Sequence, residues 1–516
     1  MSPAPRVAVI GGGLAGITAA IALAEAGAAV TLLEARPRLG GATCSFTRDG
    51  LTVDTGQHVF LGCCTAYRDL LGKLGMTEHA PVQDRFDVTV LAPGPTPRRG
   101  RLRRTALPGP LHMLPALGRY PFLSWTERTS VSRPALAMRR VDPADPRVDE
   151  QRFGDWLAAR GQSERARRAL WDLFTVSALN IAGDDASLSL AAIVIKTGLL
   201  GKNNAADIGV PALPLGELHG DAGATLLTKL GAQVLINAKV SAIEPGAIEP
   251  ATSTQPDDPS RPRFRVRLAR PVDPADPAAA SSAADPAEIL ADAVVLAVPH
   301  DAAARLIPPG ALPEATVAGW AGLGASPIVN VHVIYDRPVM DLPFAAAVDS
   351  PVQWVFDRTR ISGLDRSSPG RAQYLAISLS AADQYVDVPA AALREQFVPA
   401  LAELFPAARE AQVTEFFVTR ERRATFRQAP GTARLRPPAA TTLPGLVLAG
   451  AWTATGWPDT MEGAVRSGLL AAIQLRQTVL SGSGFSAPGQ SGGGHSDSVL
   501  SGSEANAPTS TIGERQ

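Results

Sequence analysis

Hydrophobic and polar positions along the chain follow patterns that predict a mixture of strands and helices. Residues 6–34 predict an apolar strand, a glycine turn, a helix rich in small residues and a second strand. The spacing of apolar residues predicts a short helix over 66–78, a hairpin over 85–107, and helices over 150–200 and 220–231. Strands that alternate with helices in this way predict an α/β fold.

The later predicted strands differ in whether one or both of their faces are expected to be buried. The continuous apolar run at 292–299 is typical of a strand covered on both faces. Alternation over 264–268 predicts a half-buried strand, and 326–335 predicts another strand. The two faces of that last strand carry Val329, Val331, Val333 and Tyr335 on one side, and Asn330, His332 and Ile334 on the other. The Pro/Ala/Asp-rich stretch 271–287 predicts a surface loop, and Ser/Gly-rich 480–516 predicts a disordered tail.

Composition narrows the class of protein. The composition, 45% hydrophobic and 19% charged, is typical of a globular protein. A chain of 516 residues is long enough to form two hydrophobic cores. The formal net charge is zero, so no overall field favours nucleic acid, and we expect no nucleic-acid partner. Cys44, Cys63 and Cys64 are the three cysteines, which favours a reducing compartment and no zinc site. With no signal peptide or long apolar run, the expected location is the cytoplasm.

The first motif is a glycine-rich turn. Gly11, Gly13 and Gly16 form GxGxxG directly after a strand and at a helix start, and Glu34 closes the second strand. In dinucleotide-binding units the first glycine allows a tight turn, the second admits a pyrophosphate and the third packs the helix on the sheet. The alternative is a glycine turn without a ligand.

The residues after Glu34 point to one kind of dinucleotide. Glu34-x-Arg36-x-x-x-Gly40-Gly41 resembles the FAD-binding amine oxidase and carotenoid desaturase superfamily, as does "LTVDTGQHVFLG" at 51–62. The resemblance implies that Arg36 lies near the phosphates or the adjoining sugar of FAD. It also implies that the second glycine pair passes close to the flavin.

A second motif lies near the C-terminus. Residues 446–472, "LVLAGAWTATGWPDTMEGAVRSGLLAA", resemble the superfamily's strand, turn and helix that point at the flavin. Gly450 then ends the strand, and the helix begins at 462–464 with its N–H groups facing the flavin. Many members have Asp where this chain has Ala451, so the resemblance implies that FAD binds here more weakly than usual.

The resemblance also implies an architecture. We expect an α/β (α+β) fold with a Rossmann-like FAD-binding domain assembled from discontinuous segments, and an inserted substrate domain of mixed sheet and helices. The expected FAD-binding segments are 1–84, 215–300 and 426–479; the substrate domain is 85–214 and 301–425; the tail is 480–516. The expected FAD-binding residues are Gly11, Gly13, Leu14, Ala15, Gly16, Glu34, Ala35, Arg36, Gly40, Gly41, Gln57, His58, Val240, Gly450, Trp452, Met461, Glu462, Gly463 and Ala464.

Three further stretches indicate which family within the superfamily this chain resembles. "FGDWLAARGQS" at 153–163, "LWDLFTVSALNIAGDDASLSLAA" at 170–192 and "TGLLGKNNAADIGVPALPLGEL" at 197–218 resemble the hydroxysqualene dehydroxylase family of bacterial hopanoid synthesis. This implies a hydrophobic C30 isoprenoid substrate whose allylic hydroxyl is replaced by hydride to give squalene. It also implies prenyl synthases of the squalene pathway as candidate partners.

The expected reaction needs a proton donor. We expect His58, with Asn180 and Lys196 as candidates to orient the hydroxyl. The alternatives are a structural histidine at 58, and packing or solvent-facing roles for the other two. His332 is expected to be a core residue rather than a catalytic one.

Residues 98–125 join the five arginines at 98–104 to an apolar stretch interrupted by prolines. One interpretation is a peripheral contact with the inner face of the plasma membrane, because arginine binds anionic head groups. The other is a basic hairpin strand followed by a segment that lines a substrate tunnel.

Three other functions compete with the dehydroxylase. A flavin amine oxidase is disfavoured because no Lys follows 239 and no Cys follows 64, the positions that would hold a water at the flavin or link it covalently. A phytoene-type carotenoid desaturase shares the substrate class and stays open, since it differs in redox direction. A flavin-binding subunit without turnover is the third alternative, and no motif favours it.

Overall fold

The structure is a computed structural model that describes residues 4–109, 111–246, 263–269, 288–367 and 370–480. The predicted loop at 271–287 and nearly all of the predicted tail at 480–516 lie outside these residues.

Within the described residues there are nineteen strands. Their bounds are β1 (Arg6–Ile10), β2 (Ala29–Leu33), β3 (Ser45–Arg48), β4 (Leu51–Asp54), β5 (Phe60–Leu61), β6 (Asp87–Ala92), β7 (Arg98–Arg103), β8 (Ile208–Gly209), β9 (Gln233–Leu235), β10 (Val240–Pro245), β11 (Phe264–Leu268), β12 (Glu288–Ala291), β13 (Ala293–Leu296), β14 (Ser326–Tyr335), β15 (Phe344–Ala347), β16 (Trp354–Asp357), β17 (Gln373–Leu379), β18 (Val413–Thr425) and β19 (Leu446–Leu448).

The same part of the chain forms seventeen α-helices. They are α1 (Leu14–Glu25), α2 (Thr65–Lys73), α3 (Leu114–Gly118), α4 (Trp125–Ser130), α5 (Ser132–Met138), α6 (Pro146–Asp149), α7 (Phe153–Ala158), α8 (Glu164–Ala166), α9 (Asp172–Leu179), α10 (Leu188–Val194), α11 (Ala222–Lys229), α12 (His300–Leu306), α13 (Glu314–Gly319), α14 (Thr359–Ser362), α15 (Leu364–Ser367), α16 (Ala390–Leu404) and α17 (Met461–Leu475). Single π-helical turns lie at Arg167–Trp171, Ile195–Leu199, Gly216–Asp221 and Arg476–Leu480.

A five-stranded parallel sheet collects segments from the whole length of the chain. Its strand order is β19-β13-β1-β2-β9, with β1 at the centre between β13 and β2. Every residue of β13 is buried, as the continuous apolar run predicts. This sheet confirms the Rossmann-like domain assembled from discontinuous segments, because strands more than 400 residues apart belong to one layer.

Two helices from opposite ends of the chain cover this sheet together. α1 and α17 pack so closely that a Cβ atom on Gly468 would lie 2.3 Å from the carbonyl oxygen of Ala15. The small residues Ala15, Gly16, Ala19 and Ala20 of α1 are buried. Glycine at 468 is therefore a requirement of helix packing.

A seven-stranded sheet forms the second layer, in the order β18-β14-β17-β16-β15-β6-β7. All its neighbours are antiparallel except β15 and β6. The two faces of β14 divide as predicted, and both are buried. His332 lies in the core, where Nδ1 is 2.7 Å from the Tyr374 hydroxyl and Nε2 is 3.0 Å from Thr419 Oγ1. Burial lowers the pKa of His332 to about 3.

The helices predicted over 150–200 are present but short, and π-helical turns follow α8 and α10. α9 ends at Asn180, which adopts a left-handed conformation with φ of 50°. The predicted hairpin is β6 and β7, and the helix predicted over 66–78 ends at Lys73. No helix in the described ranges is long and apolar enough to cross a membrane.

Replacing Gly468 by alanine should force α17 away from α1. We expect a loss of about 1–3 kcal/mol in the free energy of unfolding, as for overpacked cores. Urea unfolding followed by tryptophan fluorescence would measure it. Gly118→Ala is the matched control, because no atom lies within 4 Å of a Cβ built there. Equal midpoints for the two variants would contradict the packing argument.

Candidate cofactor and substrate site

The glycine turn presents the start of α1 to an open cleft. Gly11 has φ of +109°, and a Cβ atom on Gly16 would lie 1.8 Å from the Gly11 carbonyl oxygen. A Cβ atom on Gly13 would contact only Gly41, at 3.8 Å, so the turn is open at this point. No side chain caps α1 and its first turn holds no acidic residue, so the N–H groups of Leu14 and Ala15 suit an anion.

Glu34 and the second glycine pair form the next wall of the cleft. The Glu34 carboxylate is buried and accepts hydrogen bonds from the Gly12 N–H at 2.7 Å and the Arg36 N–H at 2.8 Å. Gly40 donates to the Gly12 carbonyl at 2.8 Å, and a Cβ atom on Gly41 would lie 2.9 Å from Gly13 Cα. The structure thus brings both predicted glycine motifs together.

The two arginines after Glu34 differ in environment. Arg36 and Ala35 are exposed, and no ion pair of Arg36 is found in the described residues. Arg38 is half-buried; its Nη2 donates to Cys44 Sγ at 3.2 Å, and its Nε is buried without a partner. The spacing of the motif favoured Arg36 as the residue near the phosphates or the adjoining sugar. Nothing in the sequence indicated that Arg38 would be half-buried.

Four more buried polar atoms without partners lie farther along the cleft. They are Gln57 Oε1, His58 Nδ1, His219 Nδ1 and Asn330 Oδ1. A Cβ atom on Gly56 would lie 3.1 Å from His58 Cε1 and 3.8 Å from Asn330 Nδ2, so this region is contiguous. Burial lowers the pKa of His58, and it lowers the pKa of His219 to about 3. Buried atoms of this kind cost free energy unless a ligand pairs with them.

The C-terminal motif forms the opposite wall. Thr460 caps α17 by accepting a hydrogen bond from the Gly463 N–H at 3.2 Å, and Met461 lines a neighbouring cavity. The Gly450 N–H donates to Ser467 Oγ at 2.8 Å. The side chain of Ala464 is half-buried in the first turn of the helix.

Glu462 has a role that the sequence did not indicate. Its carboxylate accepts hydrogen bonds from the N–H groups of Ala66, at 3.2 Å, and Tyr67, at 2.8 Å, and from Arg466 Nε at 2.7 Å. The Glu462 side chain therefore joins α17 to the start of α2. At this position a cofactor would contact the backbone of α17 and not the carboxylate.

Arg436 and Trp452 shape the turn between β19 and α17. Arg436 is buried and donates to the carbonyl oxygens of Ala451, Thr453 and Trp457. Burial lowers its pKa to about 10. The Trp452 indole donates to the Val298 carbonyl at 2.9 Å and packs on Trp320, so its side chain belongs to the core. An arginine in a polar loop carries no sequence signal for this bracing role.

Val240 begins β10, close in sequence to residues that contact the backbone after β2. The N–H groups of Asn237 and Ala238 donate to the carbonyl oxygens of Arg36, at 3.0 Å, and Glu34, at 2.8 Å. Val240 follows two residues later, buried at the start of β10. The expected FAD-binding segment 215–300 thus contacts the backbone of Glu34 and Arg36.

An apolar cavity opens beside the cleft. Its walls come from the seven-stranded sheet, from the helices around α9 and α10, and from the segments at 57–64 and 457–462. Its largest side chains include Leu102, Phe174, Phe344, Trp354, Phe356 and Trp457. Gln57 also lines it, and the Gln57 Oε1 atom is buried without a partner in the described residues.

The predicted catalytic residues lie outside the lining of this cavity. Asn180 Nδ2 donates to the Ser326 carbonyl at 3.0 Å, and its Oδ1 accepts from the Ala381 N–H at 2.7 Å. Lys196 Nζ donates to the Val141 carbonyl at 2.7 Å. Both side chains hold backbone segments together. His58 lies in the polar cleft, and its role as a proton donor stays a prediction.

Comparisons with known proteins give consistent results. The family model described as flavin-containing amine oxidoreductase matches residues 14–475. A hydroxysqualene dehydroxylase from Rhodopseudomonas palustris is 28% identical, covering 90% of this chain and 97% of that protein. A 15-cis-phytoene desaturase from Glycine max is 24% identical, covering 92% and 81%. A putrescine oxidase variant has the same fold, with a TM-score of 0.65 at 20% identity, covering 92% and 99%.

The residues of the cleft fit FAD. The start of α1 and the Arg38 guanidinium suit a pyrophosphate, and Glu34 suits the hydroxyls of a ribose. The unpartnered atoms of Gln57, His58 and Asn330 suit the polar edge of a flavin.

Replacing Arg38 by glutamine should weaken FAD binding at least about tenfold. The reason is that a charge-assisted hydrogen bond contributes about 1.5–3 kcal/mol. Quenching of flavin fluorescence during titration of the cofactor-free protein would measure the dissociation constant. Arg305→Gln, at an exposed helix position paired with Asp301, is the control. An unchanged dissociation constant for Arg38→Gln would assign the phosphate contact to another residue.

Proposed function

We propose that this chain, which belongs to the family of flavin-containing amine oxidoreductases, acts on an isoprenoid and removes the allylic hydroxyl of hydroxysqualene. The chain is an FAD-dependent oxidoreductase. When bound, FAD supplies the two-electron hydride chemistry.

The observation that carries the proposal is the apolar cavity beside the cofactor cleft. Aromatic and aliphatic side chains dominate its walls, which suits a long hydrocarbon and excludes water. Exclusion of water protects an allylic cation from attack by solvent once the hydroxyl has left. The Gln57 Oε1 atom can accept the hydrogen bond of a hydroxyl group and so position it at the cofactor side of the cavity.

An amine substrate fits this cavity less well. An ammonium ion is bound most strongly by a free carboxylate, and the one carboxylate in the described lining is Glu462. Its oxygens already accept two backbone N–H groups and the Arg466 guanidinium. The likeness to an amine oxidase therefore concerns the fold alone.

A carotenoid desaturase would use a similar cavity, so the assay must resolve redox direction. With flavin reduced anaerobically, we expect hydroxysqualene in detergent to give squalene in step with flavin reoxidation. Ala178→Trp should fill the cavity and lower turnover at least about tenfold while FAD stays bound. Ala391→Trp, at an exposed position on α16, is the control. Reaction of phytoene with oxidised enzyme, and none with hydroxysqualene, would support the desaturase instead.

We further propose that substrate enters from an anionic bilayer. Nine large hydrophobic side chains are exposed in the described residues, and five of them fall between 107 and 136. These five are Leu107, Leu111, Leu114, Trp125 and Leu136. Exposed basic residues accompany them in the same region: Arg119, Arg133, Arg139, Arg140 and Lys202. An apolar patch with basic neighbours suits the boundary of an anionic membrane.

The patch adjoins the cavity. A Cβ atom on Gly109 would lie 2.4 Å from the Gly201 carbonyl oxygen, and Gly198 and Leu199 line the cavity. A hydrocarbon leaving the bilayer at this loop therefore has a short route to the walls of the cavity.

The double variant Leu111→Glu with Trp125→Glu should lose binding to anionic vesicles. Flotation with vesicles containing phosphatidylglycerol would measure it, because buried apolar area and surface charge set the affinity. Leu290→Glu, at an exposed position on β12, is the control and should float like the wild type. If the double variant floats equally well, this surface is not the site of contact.

A further inference from the structure

The lining of the apolar cavity holds few groups that can give up a proton. Within the described residues, the titratable side chains of the lining are Cys63, Cys64 and Glu462. Loss of a hydroxyl group as water requires one proton at the oxygen, because hydroxide is a poor leaving group. The proton source must therefore be one of these three groups or a residue that reaches the substrate from outside the lining.

Glu462 is unsuited to this task. Two backbone N–H groups and the Arg466 guanidinium donate to its carboxylate, so both of its oxygens are already engaged. The carboxylate cannot turn toward the cavity without breaking the hydrogen bonds that join α17 to α2. Among the titratable groups of the described lining, the two thiols remain.

Cys63 and Cys64 are held rigidly at the cavity wall. The Cys63 N–H donates to the Ala205 carbonyl at 2.9 Å, the Cys64 N–H donates to the Leu61 carbonyl at 2.9 Å, and α2 begins at the next residue. Both are free thiols. The neighbouring lining residues Val59, Phe60 and Leu61 lie on the same segment as Gln57, so this segment carries both the thiol pair and the candidate acceptor for the hydroxyl.

We propose that the Cys63 thiol is the proton donor for the leaving hydroxyl, with Cys64 as its positioning residue. This inference rests on the proposed function. The Sγ–H proton passes to the hydroxyl oxygen, the allylic C–O bond breaks with its electron pair on oxygen, and water leaves. The thiolate of Cys63 then accepts a hydrogen bond from the Cys64 thiol. The hydride that replaces the hydroxyl would be supplied by reduced FAD when it is bound, and Cys63 regains its proton from solvent.

The electrostatics of the pair agree with these roles. The hydrogen bond from Cys64 lowers the pKa of Cys63, which makes it the stronger acid of the two. The same hydrogen bond and burial raise the pKa of Cys64. The other titratable and charged groups around the pair are Tyr67, Arg68, Glu462 and Arg466. Since the thiol is the active form, turnover should fall as the pH rises through the pKa of Cys63.

The experiment compares wild-type holoenzyme with Cys63→Ser and Cys64→Ala in the anaerobic hydroxysqualene assay, across pH. Serine matches the size of cysteine but is a far weaker acid, so turnover should fall at least about 100-fold, within the usual contribution of general acids. FAD content should be unchanged. Cys64→Ala should move the alkaline limb to higher pH, because the thiolate of Cys63 loses its hydrogen bond.

A second measurement is independent of turnover. The rate of alkylation of Cys63 by iodoacetamide, followed by mass spectrometry against pH, reports its pKa, and bound squalene should slow this rate. The pKa should rise in Cys64→Ala, and the doubly substituted Cys63→Ser, Cys64→Ser protein gives the background from Cys44.

The outcomes separate the two proposals. If wild-type enzyme makes no squalene, the proposed function fails, and the thiol proposal fails with it. If wild-type enzyme makes squalene but Cys63→Ser retains turnover within about twofold and the same pH profile, the dehydroxylase stands and the proton donor is another group. Alkylation that squalene does not slow would likewise overturn the assignment of Cys63.

Discussion

The contact between α1 and α17 is the constraint on which the site depends. Gly468 leaves room for the Ala15 carbonyl, and this brings the middle of α17 against the start of α1. Glu462 then ties the start of α17 to α2 through two backbone hydrogen bonds. Because α2 directly follows the thiol pair, one set of contacts fixes the polar cleft, the end of the apolar cavity and the segment between them.

The architecture was predictable because it depends on local patterns. Gly11, Gly13 and Gly16 marked the turn, and the continuous run at 292–299 marked the doubly covered strand β13. The resemblance of 446–472 to a flavin-facing strand and helix placed the far end of the chain in the same domain. Boundaries of the segments stay a prediction, as does the weaker FAD binding inferred from Ala451.

The chemistry of the site was less accessible from sequence, since it depends on which long-range partners each polar group finds. Asn180 lies in a stretch typical of the family, yet its side-chain amide is hydrogen-bonded to the backbone of two distant segments. Trp452 turns into the core, while Arg38 and Asn330 keep unpartnered atoms in the cleft. The burial and hydrogen bonding of a single side chain do not repeat at regular intervals along a sequence. Motif spacing therefore could not show that Arg38 is half-buried while Arg36 is exposed.

The central claim is that one cofactor contacts both ends of the chain, and hydrogen–deuterium exchange on addition of FAD tests it most directly. The account predicts slower amide exchange at the start of α1, over 38–58 and at the start of α17 together, with little change in α16. Slower exchange confined to 6–41, with the start of α17 unchanged, would contradict it.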